Sequence, residues 1–431
     1  MSRTTAAKPT PVGYGQLVRE NRNFRYLWFG QIISLLGDWF NLIASASLIA
    51  LLTESGFAIG GLFVVRMLAP FLVSPIAGVI ADRYNRRTIL LVTDILRAIT
   101  VFGFLFVRDA SHVWLLYALT AVQLGISGFF FPTRNAILPD LVPPQGVGAA
   151  NALSSATWSV MLAVGAAIGG LVSGTWGIYP AFIIDGLTFV LSAVFIWQIK
   201  LDVTTHVEDS NKTIMAGFRQ YLNGLRYLGR HVDILVIALN KPFLSLLMFS
   251  GIQIAQVAIS ERVFVIGEGG GISLGIMFAI TGVGTGLGPI IARYFTGDRD
   301  RYLRWAMIVG YIIGGAGLVV AAPLFNFGVT LLGMALRGLG GGIVWVFSTQ
   351  LLLHMVPNEV RGRVFATEFA IFTLMSAIGA AVAGAAINPL GISGLLWWLA
   401  ALNIIPTLLW TYWVINRKSV SKETEPASVR G

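Results

Sequence analysis

Cysteine is absent from the 431 residues, and charge is scarce. Without cysteine there is no disulfide frame, no thiolate nucleophile and no cysteine-held metal. The four histidines, His112, His206, His231 and His354, are scattered with no metal-ligand spacing. Asp, Glu, Lys and Arg make up 12% of the chain, about half of what a water-facing surface carries. No clustered nucleophile, acid–base pair or metal set points to an enzyme. The Gly-rich runs lack the strand-to-helix setting of a phosphate loop. No metal or cofactor is expected, and nucleic acid is not an expected partner.

Apolar side chain is what abounds. Hydrophobic residues are 56% of the chain, and mean hydropathy is +0.77. A single soluble core could not absorb this much, so the chain reads as a polytopic membrane protein. Apolar runs broken by charge, Gly or Pro clusters give twelve spans. They fall at about 26–52, 57–81, 88–107, 112–132, 151–174, 178–199, 234–259, 272–293, 303–322, 328–355, 364–387 and 392–415. Each is close to the roughly 20 residues that a bilayer crossing needs. The weakest is 272–293, where Gly282, Gly284, Gly286 and Gly288 dilute the hydrophobic signal.

Placing the N-terminus in the cytoplasm puts 24 of the 30 lysines and arginines on that side and 2, Arg108 and Arg262, outside. The other 4, Arg66, Arg97, Lys241 and Arg337, fall within spans. So one-sided a distribution places both termini in the cytoplasm of a cell that carries the chain in its inner (plasma) membrane. Residues 1–25 show no short apolar core with a cleavage site, so no cleaved signal peptide is expected. The organisation is a cytoplasmic segment 1–25, a six-helix bundle 26–199, a linker 200–233, a second bundle 234–415 and a tail 416–431. In the linker, Ile214, Phe218, Leu222, Leu225 and Leu228 recur at helical spacing. That pattern reads as an amphipathic helix on the inner leaflet or one packed on the bundle.

A repeat supports the division into halves. Residues 142–170 align without gaps onto 356–384, sharing Val142-Pro143 with Val356-Pro357 and Gly165-Ala166-Ala167 with Gly379-Ala380-Ala381. Residues 288–294 look like a degraded copy of the charged hairpin at 78–87. Duplicated six-helix halves suit a secondary transporter, with its site at their interface.

The hairpin itself, Gly78-x-x-Ala81-Asp82-Arg83-x-x-Arg86-Arg87, resembles the signature between helices 2 and 3 of the major facilitator superfamily. Asn85 stands where that signature has Gly, and Asn also tolerates a left-handed backbone. Asn23-Phe24-Arg25-Tyr26-Leu27-Trp28, Gly37-Asp38-Trp39-Phe40, residues 224–228 and residues 356–363 are similar to the macrolide-efflux and enterobactin-exporter branch. The resemblance implies an all-α integral membrane fold of twelve helices in two pseudo-symmetric six-helix bundles. It also implies a monomer, protons as coupling ion, and a cytoplasmic gate in which Asp82 meets the N-terminal dipole of helix 11. Gly78, Asp82, Arg83, Arg86 and Arg87 form this motif, and Asp94, Arg97 and Glu368 are candidate additions.

Charges inside spans usually face a cavity or a partner. Asp38 and Arg66 lie about 18 and 22 Å from the inner ends of helices 1 and 2 at about 1.5 Å per residue. They are expected to be close enough to pair, with Asp38 binding a proton and Arg66 setting its affinity, or else to form a fixed structural pair. Arg337 stands at the repeat position of Gln123 and could substitute for the helix 4 arginine of other superfamily antiporters. Trp39, Phe40, Trp158, Gln253 and Gln256 are candidate cavity residues, and Asp185 is a candidate packing partner. The expected function is export of an amphipathic or lipophilic small molecule by alternating access. The alternatives are a lipid or lysophospholipid flippase of the same fold and a transport-dead receptor.

Overall fold

The computed structural model describes residues 13–200, 224–297 and 299–416, and every regular element among them is helical. A short helix, α1 (Tyr14–Glu20), precedes six long ones: α2 (Arg22–Thr53), α3 (Gly56–Arg83), α4 (Arg86–Gly103), α5 (Val113–Leu141), α6 (Val147–Thr175) and α7 (Ile178–Trp197). Residues 224–230 form α8. Then come α9 (Val232–Arg262), α10 (Gly271–Thr296), α11 (Asp300–Ala321) and α12 (Phe327–Met355).

From there the chain is helical over Asn358–Leu402 and Ile404–Asn416. That run would be about 90 Å long at 1.5 Å per residue, some three times the hydrocarbon thickness. It turns at Gly391, whose φ of 70° is a conformation that glycine alone adopts without strain. The result is α13 (residues 358–390) and α14 (residues 392–416). Twelve crossings follow, α2–α7 and α9–α14, the Gly-rich α10 among them. An even number of crossings returns the chain to the side on which α2 began, here termed the terminal face. The opposite side is the distal face.

Two local expectations change, and a third falls largely outside the described residues. The fourth span was expected to end near 132, but α5 continues through Pro132 and Pro139 to Leu141. Arg134, which reads as a loop charge, is therefore inside a helix and buried. Asn85 is not left-handed, with φ −59°; its side chain instead accepts a hydrogen bond from the Thr88 amide at 3.1 Å and caps α4. Most of the amphipathic linker segment, residues 201–223, lies outside the described residues. Its continuation α8 packs on α13: a methyl at Gly224 would run into Thr367 Oγ1, and Leu228 is buried.

Helices α2–α7 pack on one another, as do α9–α14, and the two bundles meet chiefly along α6 against α10 and α3 against α13. Glycine makes both seams. A methyl at Gly170 would stand 2.5 Å from the Gly275 Cα, and one at Gly60 would stand 2.8 Å from the Gly384 Cα. Backbones this close gain dispersion contact without any hydrophobic driving force from lipid. These contacts lie toward the distal face. Moving along α10 toward the terminal face, a methyl at Gly282 would still fall within 3.2 Å of Leu162 and Ala163, but one at Gly286, one turn on, would meet nothing within 4 Å. Along α6 and α10 the bundles are thus closed distally and parted toward the termini. The natural lack of cysteine makes this directly testable with paired substitutions. Arg262 at the end of α9 donates to the carbonyl of Glu54 at the end of α2, across the distal rim, and both residues are exposed, so Glu54→Cys with Arg262→Cys is expected to be joined by a short bismaleimide. Failure to cross-link would show that this seam is not closed.

Candidate functional site

The polar groups inside the first bundle form one connected cluster. Its centre is Asp94 and Arg97, an ion pair on one face of α4 with neither side chain more than 1% exposed. Arg97 donates to Ser34 Oγ on α2 at 3.2 Å and to Ser127 Oγ on α5 at 3.4 Å. Ser192 Oγ on α7 donates to Asp94 at 2.6 Å. The guanidinium lies between the rings of Phe130 and Phe189, at 4.5 and 4.1 Å, which adds cation–π attraction on both faces. Four helices therefore converge on one charge pair. All of these partners belong to the first bundle, so the pair is an internal clamp rather than part of a gate between bundles.

Asp38, Arg66 and Asp185 extend the cluster. The charges of Arg66 and Arg97 both act on Asp38, and Arg66 also acts on Asp185. Asp38 and Arg66 do not pair directly as expected: they stand beyond the 4.0 Å of a salt bridge, and Arg66 Nη1 is buried without a hydrogen-bond partner. Asp185 is fully buried, and neither of its oxygens has a hydrogen bond of ordinary geometry, although Asn41 lies beside it. The approach of α7 is set by Gly37, where a methyl would fall 2.5 Å from Asp185 Oδ1. Asp38 and Arg66 are partly exposed while protein encloses them. Asp94 and Asp185, by contrast, are fully buried.

The signature residues divide. Gly78, Asp82 and Arg83 lie in the final turns of α3, and their side chains lie outside the described residues. Arg86 donates to Asp140 at 2.7 Å and to the Ala136 carbonyl at 3.1 Å; Arg87 donates to the carbonyls of Ile196 and Trp197. These two arginines tie the start of α4 to the ends of α5 and α7, where free carbonyls and the helix dipole favour cations. Glu368 pairs with Lys241 at 2.9 Å and joins α13 to α9, with Lys241 Nζ 5.0 Å from the Trp345 ring.

Among the cavity candidates, Trp39 packs on Gly165 and lies 5.8 Å from Phe278 of the second bundle, so it sits at the seam. Phe40 is packed against Gly169 and is 3% exposed, which makes it core. Gln256 is buried and spends its amide on Thr281 Oγ1 at 3.1 Å and the Met277 carbonyl at 3.4 Å. Gln253 remains partly exposed and Trp158 is exposed. Arg337 is buried in the second bundle, with no acid of the Asp38 cluster acting on it. Among the described residues no group of three His, Asp or Glu could hold a metal ion. Sequence reasoning overlooked Arg134, which is buried and donates to Gln31 and Ser154.

The clamp carries an energetic consequence. Removing one member of a buried pair strands the other, at about 3–5 kcal/mol. Arg97→Ala is expected to lose that much in detergent-titrated unfolding, and the double variant Asp94→Leu with Arg97→Met to recover much of it. Equal losses for single and double variants would contradict the clamp.

Comparison with known proteins agrees with this architecture. The sequence profile of the Major Facilitator Superfamily matches residues 27–366 and again 269–430. The chain is 27% identical over 387 residues to YfiS of Bacillus subtilis (strain 168), an uncharacterized MFS-type transporter, covering 88% of this chain and 89% of that one. It is 26% identical over 357 residues to BacE of the same organism, provisionally named a bacilysin exporter, covering 83% and 86%. Among solved structures, the nucleoside transporter NupG superposes with a TM-score of 0.72 at 12% identity, over 92% of this chain and 99% of that one. A bacterial homologue of the human lysosomal transporter Spinster, inward-facing and occupied, gives 0.69 at 14% identity, over 92% and 96%. The duplicated bundles, the glycine seams between them and the profile match over nearly the whole chain have one reading: this chain is an integral, multi-pass membrane transporter of the major facilitator superfamily.

Proposed function

We propose that the chain is a secondary exporter of an amphipathic or lipophilic small molecule, working by alternating access with protons as the counter-ion. The observation that carries this reading is the charge balance of the first-bundle cluster. Three acids, Asp38, Asp94 and Asp185, face two bases, Arg66 and Arg97. Arg134 lies outside the cluster, since none of these acids acts on it. With every group ionised one negative charge is left over in a low-dielectric interior, where an unpaired charge is expensive. One proton balances it. Asp38 is the acid of the three that keeps some exposure, so it is where the proton enters and leaves.

Opening and closing of the bundles would change the water around Asp38 while Arg66 keeps a fixed distance from it, and that difference is what coupling requires. The terminal face is taken as cytoplasmic because the basic residues gather there. An opening toward that side admits cargo from the cell. The provisional assignment of BacE as an exporter favours the outward direction, and the many apolar and few charged side chains inside favour an amphipathic cargo. No nucleotide-binding motif is present in the sequence, which leaves an ion gradient as the energy source.

A resistance and accumulation screen in an efflux-deficient host identifies a cargo, and proteoliposomes then separate the steps. The native chain is expected to move that cargo when a pH gradient is imposed. Asp38→Asn is expected to drop gradient-driven flux to the level of protein-free liposomes while keeping cargo exchange at equal pH. Full gradient-driven flux by Asp38→Asn would overturn the assignment.

A further inference from the structure

One cation in the second bundle has no counter-charge. Arg337, on α12, is 4% exposed. Among the described residues no hydrogen bond or ion pair reaches its guanidinium, and no acidic side chain acts on it. Its Cζ lies 5.3 Å from the centre of the Phe249 ring. Glu368, the buried acid of that bundle, is committed to Lys241 at 2.9 Å. A purely structural arginine at this depth would take carbonyls or a carboxylate as partners, whereas the nitrogens of Arg337 meet no protein acceptor among the described residues and reach open space.

Open space lies beside it. Gly341 is one turn along the same face of α12, and a methyl there would meet nothing within 4 Å. This face points into the protein: Leu332 and Val346, 55% and 41% exposed, lie on the roughly opposite side of the helix at 100° per residue. One turn past Gly341 stands Trp345, whose ring meets Phe372 edge-on at 5.0 Å. Phe372 lies 6.5 Å from Phe249, which closes the π-helical turn Ser245–Phe249 in α9. Such turns are frequent at functional sites because they re-aim the side chains that follow. The gap is thus bordered by one unpaired guanidinium and three aromatic rings.

We propose that Arg337 anchors an anionic group of the cargo, a carboxylate or similar monoanion carried on an apolar or aromatic body that rests against Phe249, Phe372 and Trp345. The proposal deepens the transporter reading and rests on it. A guanidinium offers a planar fork that matches a carboxylate, and the rings supply apolar contact area; the one cation against them, Lys241 beside Trp345, is already paired with Glu368. Binding the anion supplies the counter-charge that the protein itself withholds.

The test uses the full chain in phosphatidylcholine nanodiscs, which contain no anionic lipid. The probes are dansyl-alanine and its neutral carboxamide, read by tryptophan-to-dansyl energy transfer. The acid is expected to bind about 10- to 100-fold more tightly than the amide, the range of one charge-assisted hydrogen-bonded contact. Arg337→Gln is expected to abolish that preference and Arg337→Lys to keep part of it. Because Arg337→Gln removes an unpaired buried charge, the ligand-free variant is expected to melt no lower than the native protein. The proposal is overturned if acid and amide behave alike in the native protein, if neither binds, or if the preference survives Arg337→Gln. It is overturned equally if Arg337→Gln melts several degrees lower, which would give the arginine a structural partner. Repeating the titration in phosphatidylglycerol discs separates two sources of the same anion: lost binding assigns the site to a lipid headgroup, retained binding to a free carboxylate, and both uphold the anion site. A protein that binds the acid at Arg337 but transports nothing keeps this site and overturns the exporter reading. Full export by Arg337→Gln of a cargo bearing a carboxylate keeps the exporter reading and overturns this site.

Discussion

Charge enclosed by hydrocarbon has to be answered within the protein, and the first bundle is organised around one such answer. Arg97 and Asp94 hold α4 against α2, α5 and α7 through two serines, a third serine on the acid, and two aromatic rings. The helices can reach that centre because small residues let them approach: Gly37 brings α2 onto Thr188 and Asp185 of α7. Lys241 and Glu368 make a simpler bond between α9 and α13 in the other bundle. Each half is therefore tied internally by a buried pair. Between halves the contact is mainly of another kind, glycine faces at Gly170 with Gly275 and Gly60 with Gly384, with Arg262 donating to the Glu54 carbonyl at the distal rim. Glycine faces can part and re-form at low cost, which suits the opening that the proposed mechanism requires.

Much of the fold was legible because a bilayer imposes a length on every crossing. Eleven of the spans announced themselves by about 20 apolar residues between charges, and the Gly-rich span around 272–293 survived because glycine is compatible with membrane helices. The fourth span was misjudged for the same reason: Arg134 reads as loop, and only the tertiary partners Gln31 and Ser154 make it an interior residue. Of the candidate site, the sequence marked Asp38, Arg66, Asp94, Arg97 and Arg337 as charges out of place. It could not show which of them meet. Spacing along α4 suggested that Asp94 and Arg97 share a face, but whether that face looks toward the gate or the bundle interior depends on serines 30 to 98 residues away. Trp39 and Phe40, adjacent in sequence, part company for a similar reason. One packs at the seam and the other in the core.

The two bundles hold different unpaired charges. Around Asp38 the acids outnumber the bases, and around Arg337 no acid acts on the base. On the proposed mechanism the first imbalance is met by a proton and the second by the cargo, so the two ligands occupy different halves and are linked through the opening and closing between them. Such a division gives coupling without direct contact between proton and cargo sites, since both bias one seam.

The central claim is that the Asp38 cluster holds an exchangeable proton. Infrared difference spectroscopy of the reconstituted protein across a pH titration reads it most directly, through the carbonyl stretch of a protonated carboxylic acid. A band that titrates in the native chain and vanishes in Asp38→Asn is the expected result. A native spectrum without such a band, or a band unchanged in Asp38→Asn, would contradict it.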